Sequence, residues 1–424
     1  MSTTAAAVTA AWRSESARLV AALVRLTGDL VLAEDLAQDA LVAALEQWPR
    51  DGIPASPGGW LMTTARRRAI DIFRHNEVAR RHGSALAGEL ESIRQETVMD
   101  DAVTVDDVED DVLRLIFLCC HPALSPQSRA ALTLRLVAGL STTEIARGFM
   151  VAEATMAQRL TRAKRTLERE GAEFELPELA DRVERLDDVL VVIYLIFNEG
   201  HTATSGSDWF RPDLCHEATR LARMVAAMLP GEPDAHALQA LIELHAARLP
   251  ARVDREGRPV LLADQDRSRW DQLLTRRGLA ALDRAEELAR SGKPVGSYYL
   301  QASIAAVHMR ARRAEDTDWT RIARLYDVLA ATAPGPVVEA NRAVAHGRAR
   351  SPEAGLSILE AIPPDALPDS PLIPAVRGDL LLRDGQYADA AAAFTDAAGR
   401  TTNDAERELL LRRAEEAETL SAAE

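Results

Sequence analysis

Residues 141–169, STTEIARGFMVAEATMAQRLTRAKRTLER, hold two short helical patterns joined by a tight turn. Ser141 stands three residues before Glu144, the S-x-x-E arrangement in which each side chain satisfies the other's backbone N–H, so a helix starts there. Ile145 and Ala146 face inward, Gly148 loosens the turn, and Met156, Leu160, Ala163 and Leu167 recur at steps of 4, 3 and 4 residues. That stripe anchors the second helix. Its opposite surface carries Thr155, Gln158, Arg159, Arg162 and Arg165, with Lys164 beside them. Cations suit phosphates, and Gln158 or an arginine suits base edges, so the pattern points to a helix-turn-helix that enters DNA. The plainer reading of the same residues is a helical hairpin with a solvated basic face.

Charge decides how such a contact would be made. The chain has 424 residues and a formal net charge of −15, which excludes attraction of nucleic acid to the whole surface and makes any DNA contact local. Lys occurs only at 164 and 293, every other basic residue is Arg, and Ala is abundant. Codon bias of a GC-rich genome produces the same composition, so an Arg cluster is weaker evidence here than elsewhere. Cys119, Cys120 and Cys215 make an odd set, and Arg13, Glu15 and Arg18 interrupt the N-terminus before a signal-like apolar core forms. A cytoplasmic protein is expected. The apolar run at 189–197 is far short of the roughly 20 residues of a membrane span; it reads as a buried element, with no membrane partner.

Prolines and glycines gather between helical patterns, and alternating strand patterns bounded by hairpin turns are hard to find, so the fold class is all-α. A first unit has helices at 6–26, 32–48 and 60–76, with a Pro/Gly loop at 49–59. Residues 89–111 then carry ten acidic residues against Arg94 alone, a polar linker until about Val105. Basic segments flank it. Arg66, Arg67, Arg68, Arg74, Arg80 and Arg81, offset by Asp71 and Glu77, leave +4, and residues 147–169 leave +4 again.

Three ordered passages carry a resemblance: AEDLAQDALVAAL at 33–45, WLMTTARRRAID at 60–71, and the helix-turn-helix at 141–169. Their order and spacing resemble a bacterial sigma factor of the extracytoplasmic-function type. The resemblance implies two small helical sigma domains: region 2 at 6–83, which meets the promoter −10 element and the polymerase clamp, and region 4 at 108–172, which meets the −35 element, with an acidic linker at 84–107. Asp35, Gln38 and Asp39 would bind the clamp while Leu36, Ala40 and Leu41 stay inside. Arg66, Arg67, Arg68 and Arg74 would lie near the −10 DNA, where an opened strand is held by stacking and cationic grooves. Arg162, Lys164 and Arg165 would set register on phosphates; Glu153, Thr155, Gln158 and Arg159 are the base-reading candidates. Trp60, beside Leu61 and Ile53, is expected to pack in the core. The chain has Arg67 where the family often has Asn, Ala157 and Gln158 where it often has Lys and Ser, and Met150 where the turn often has Gly, so its promoter is not borrowed from relatives. The implied partners are RNA polymerase core, through clamp and flap, and promoter DNA. A sigma factor performs no covalent chemistry, and no catalytic residue, metal or cofactor is expected.

More than half the chain lies beyond this pattern. VLVVIYLIFNEGHTATSG at 189–206 and ADQDRSRWD at 263–271 resemble marks of a sigma subgroup with a long C-terminal extension ending in tetratricopeptide-like repeats. A helical extension is expected at 173–290 and repeats at 291–424. Gly378, Leu381, Gly385, Tyr387, Ala390, Phe394 and Ala397 stand at the repeat's packing positions, with Tyr387 and Phe394 filling the gap that small residues open. Weaker pairs lie at 299–312 with 319–331 and at 337–348 with 352–361. Such an array fits a regulatory protein partner.

Two other readings compete. Asn198, Glu199 and His201, with Asp264, Asp266, Arg267 and Arg269, allow an acid/base site to be imagined, but no nucleophile–base pair, phosphate loop or metal spacing accompanies them; Arg267 and Arg269 could instead pair Glu199. Cys119, Cys120 and His121 read as packed thiols rather than a metal site, since consecutive helical positions diverge by about 100°. The alternative function is a helix-turn-helix regulator with a repeat-type sensor domain that binds DNA without polymerase. It leaves the Asp35/Gln38/Asp39 and 60–71 passages without a purpose.

Overall fold

A computed structural model describes residues 3–81, 105–149, 151–175, 179–201, 212–363 and 365–423. They form an all-α chain whose one extended pairing, among these residues, is a single antiparallel bridge between Val253 and Pro259. The chain divides into two compact units, Met1–Val192 and Ile193–Glu424.

The first unit opens with α1 (Thr3–Thr27), α2 (Leu30–Asp51) and α3 (Pro57–Arg81). Asp29 caps α2 by accepting from Val31 N at 2.8 Å and Leu32 N at 3.0 Å, two of the donors a helix start leaves unpaired. The helix continues through Pro49, where the expected loop was to begin, and stops three residues on at Gly52, whose φ of 87° no β-carbon favours. α3 likewise starts earlier than expected, at Pro57, a residue suited to a first turn.

Residues 82–104, most of the expected acidic linker, lie outside the described residues. Its last three positions are helical: α4 (Val105–Cys119) begins inside the expected linker span of 84–107, because Val105, Val108, Val112 and Leu115 already recur at helical spacing. α5 (Pro126–Leu136), α6 (Thr142–Gly148) and α7 (Glu153–Arg169) complete the expected second sigma region. The two regions are not separate bodies. α1 packs on α4 and touches α5, Trp12 Nε1 donates to Gly139 O at 2.8 Å, and Arg25 pairs with the buried Asp111 at 3.3 Å.

The unit boundary falls inside α8 (Leu179–His201), so residues 179–192 group with the first unit although the extension was expected from 173. Polar contacts explain it: Arg185 donates to Phe117 O at 2.8 Å and Arg129 pairs with Asp188.

In the second unit, α9 (Pro212–Met228), α10 (Pro233–Ala246), α11 (Gln272–Arg290), α12 (Ser297–Arg310), α13 (Trp319–Thr332), α14 (Pro336–Ala349), α15 (Pro352–Glu360), α16 (Leu372–Arg383), α17 (Tyr387–Arg400) and α18 (Asp404–Ser421) follow one another. From α12 onward each helix packs on its neighbour in sequence, and the apolar interior is a series of local cores around Ile322, Leu380 and Phe394. Small residues set the spacing. A Cβ on Gly378 would stand 2.8 Å from the Phe394 ring, and one on Gly355 would stand 2.6 Å from Ala343 O. Phe394 is fully buried, while Tyr387, expected to fill the same gap, is only half-buried.

Candidate nucleic-acid and polymerase interface

The capping arrangement read from the sequence is present. Ser141 N donates to Glu144 Oε2 at 2.8 Å and Glu144 N donates to Ser141 Oγ at 3.2 Å. Ile145 and Ala146 are buried, and Val151 N closes the turn onto Ala146 O at 3.0 Å; Met150 itself lies outside the described residues. Met156, Leu160, Ala163 and Leu167 are all buried on α7, which leaves Glu153, Thr155, Gln158, Arg162 and Arg165 exposed together and Arg159 half-buried at their edge. Thr161 shares this face and was not singled out in the sequence; its hydroxyl donates to Ala157 O at 2.9 Å. Arg162 reaches Gln158 Oε1 at 3.4 Å, so the exposed face presents donors whose mutual ties are weak.

Lys164 does not stand with them. It turns to Glu34 of α2 and forms an ion pair there. Glu34 is 5% exposed and also accepts from Arg135 Nε at 2.7 Å and Gln38 Nε2 at 2.8 Å. Burial alone would raise the Glu34 carboxyl, but Lys164 and Arg135 outweigh it and hold the group below its ordinary value. A carboxylate on α2 thus ties α5 and α7 to the first three helices. Glu34 was not identified from the sequence, where it stands with Asp35 and Asp39 among the same small apolar residues; only the fold buries it alongside Ala33, Leu36, Ala37 and Ala40.

On α2, Asp35 and Asp39 are exposed, Gln38 is half-buried and engaged with Glu34, and Leu36 and Ala40 are buried. Leu41 is only half-buried. Val31, Val42 and Leu45 are 45%, 51% and 46% exposed, so the aspartates share their surface with aliphatic side chains, a mixture suited to a protein partner. On α3, Leu61, Ala65 and Ala69 form the buried row. Arg67 and Arg74 are exposed and Arg66 and Arg68 half-buried; Arg68 pairs with Asp39 at 2.9 Å. The side chains of Arg80 and Arg81 lie outside the described residues. Trp60 is half-buried rather than core, packed edge-on against the buried Trp48 at 5.6 Å, and Ile53 is 49% exposed.

Residues 12–78 match the Sigma-70 region 2 family, residues 114–167 match Sigma-70, region 4, and residues 185–286 match a family of unknown function, DUF6596. The ECF RNA polymerase sigma factor SigL of Mycobacterium tuberculosis is 32% identical over 145 residues, 34% of this chain and 77% of SigL. The chain belongs to the ECF RNA polymerase sigma factors. This sigma factor is also 30% identical over 162 residues to the probable ECF sigma factor SigI of M. tuberculosis, covering 38% of this chain and 54% of SigI. Its extension is shared by the uncharacterized protein R00370 of Rhizobium meliloti, 41% identical over 386 residues, 91% of this chain and 90% of that protein. No solved structure matches.

Regions 2 and 4 belong to non-catalytic transcription factors that engage RNA polymerase and promoter DNA, so this sigma factor is not an enzyme. Three of the residues imagined as an acid/base site have structural partners. Asp266 caps a short 3₁₀ turn by accepting from Ser268 N at 2.9 Å, and Arg267 donates to His308 O and Ala311 O at 2.7 and 2.6 Å. Arg269 donates to Val253 O at 3.1 Å; the side chain of Glu199 lies outside the described residues. Cys119 and Cys120 are buried thiols, with Cys120 Sγ 3.8 Å from Thr133 Oγ1. Burial pushes Cys120 up to about 12, which removes thiolate character at neutral pH. No described helix is long and apolar enough to cross a membrane.

Proposed function

We propose that this protein binds the RNA polymerase core in the cytoplasm and directs initiation at promoters with −10 and −35 elements. The exposed face of α7 carries the reading: Thr155, Gln158, Arg159, Arg162 and Arg165 are presented together by a buried stripe on the opposite side. Glu153, Thr155, Gln158 and Arg159 read bases near the helix start, and Arg162 and Arg165 hold phosphates. Arg66, Arg67 and Arg74 contribute to −10 binding, with Arg68 shared with Asp39. Asp35 and Asp39, flanked by Val31, Val42 and Leu45, make the clamp face; region 4 meets the flap. Lys164 serves in this reading as a strut to Glu34 while the protein is off the promoter, since two elements read at once require regions 2 and 4 apart.

Successive helix pairs α12 to α18, with glycine at the close approaches, support a tetratricopeptide-like array that holds a regulatory protein. Footprinting of the full chain on its promoter, with and without core polymerase, separates this reading from a polymerase-independent regulator. Protection of both elements only in the presence of core supports it; equal protection by the chain alone contradicts it.

A further inference from the structure

Within the second unit a cavity of about 350 Å³ is lined by Tyr194, His245, Arg248, Gln301, Trp319 and Tyr326, with His308, Asn341 and aliphatic side chains between them and no carboxylate. Its volume lies in the range of small-ligand sites. Arg248 is its one arginine. Among the described residues the guanidinium makes a single hydrogen bond, Nη2 to His245 Nδ1 at 2.7 Å, and enters no ion pair. Elsewhere in the unit Arg223 pairs with Glu243 at 2.5 Å and Arg413 with Asp379 at 2.9 Å, the buried Arg252 donates to the His201 carbonyl, and Arg267 donates through Nη1 to two carbonyls and through Nη2 to Thr317.

The histidines add no charge of their own. Burial and the neighbouring arginines push His308 down to about 3 and His245 well below its ordinary value, so both are neutral at pH 7. Burial and Arg267 also push Arg248 down to about 10, which leaves it a cation. Arg248 is half-buried, and a cation held partly out of water without an anion costs stability, a cost that is retained where a function needs it. The walls add rings: Tyr194 donates to Gln301 Oε1 at 3.1 Å, and Trp319 packs edge-on against His308 at 5.3 Å with Arg348 over its face. A larger cavity of about 970 Å³ adjoins it, sharing Leu262, His308, Trp319 and Val344.

We propose that the 350 Å³ cavity binds a small organic anion with a planar, apolar body, of the aryl carboxylate class, its carboxylate on Arg248 and its ring among Tyr194, Tyr326 and Trp319. The inference goes beyond the sigma-factor reading, and its test involves no polymerase. Calorimetric titration of the full chain with benzoate, at fixed ionic strength, should show saturable 1:1 binding, with none for neutral benzamide and none for inorganic phosphate. Saturating benzoate should raise the melting temperature by about 2–4 °C. Arg248→Met should weaken benzoate by about tenfold or more, the worth of a charge-assisted contact, without lowering the melting temperature of the free protein. Ala305→Phe, which fills the cavity and keeps the charge, should abolish binding as well. Absence of saturable benzoate binding, equal binding of benzamide, binding of phosphate alone, survival of binding in both variants, or a large melting-temperature loss in Arg248→Met would each overturn the proposal.

Discussion

Glu34, buried in the first unit, and Arg248, half-buried at a cavity of the second, are both charges set into the protein, and they are answered differently. Glu34 meets Lys164, Arg135 and Gln38 from three directions. Arg248 meets one neutral histidine. A buried charge whose partners are complete holds elements together; one left incomplete gives up stability and keeps the capacity to bind. Location does not make the difference, because Asp379, also in the second unit, is satisfied by Arg413 at 2.9 Å and Arg383 at 3.1 Å.

Removing the charge of Glu34 should have the largest effect. Glu34→Gln strands Lys164 and Arg135 and should cost about 3 kcal/mol, read as a lowered first-unit transition in calorimetry. If the Glu34 contact belongs to the form off the promoter, promoter occupancy with core polymerase should rise in this variant at temperatures where it stays folded. Asp379→Asn should follow, at about 2 kcal/mol, because that carboxylate has somewhat more access to water. A loss as small as that of Arg248→Met, expected to be zero or a slight gain, would break the distinction between paired and unpaired sites.

Acid sharpens the same contrast. Cations hold Glu34 and Asp379 below their ordinary values, so their stabilisation is complete above the usual carboxylate range and is lost as pH falls through the lower folded values. Stability should therefore decline below about pH 4, and Glu34→Gln should flatten that decline in the first unit. The smallest effect on stability belongs to the exposed face. Arg162→Ala should leave the melting temperature unchanged, weaken promoter binding by about 1 kcal/mol and reduce the salt slope by about one.

The cap of α6 and the buried stripe of α7 were legible because their determinants are local: Ser141 and Glu144 are three residues apart, and the stripe from Met156 to Leu167 repeats at the helical period. Region 2 and the small-residue packing of Gly378 against Phe394 were legible for the same reason. The role of Lys164 was not. It lies one position beyond Ala163 on the margin between the stripe and the exposed face, and its partner Glu34 is 130 positions earlier in the chain, a pairing that no periodicity encodes. Pro49 misled because proline usually ends a helix, yet here it lies in the last turn, with only Arg50 and Asp51 following it in the helix. Arg248 gave no signal, since an arginine after a helix normally reaches water; the cavity it lines is completed by walls from α8, α12, α13 and α14, distant in the sequence.

The central claim is initiation by this chain with polymerase. Purified core polymerase and the full chain, supplied with fragmented genomic DNA, should yield transcripts with discrete start sites that share upstream −10 and −35 elements, and Arg162→Ala should reduce them. Transcripts no different from those of core polymerase alone would contradict the account.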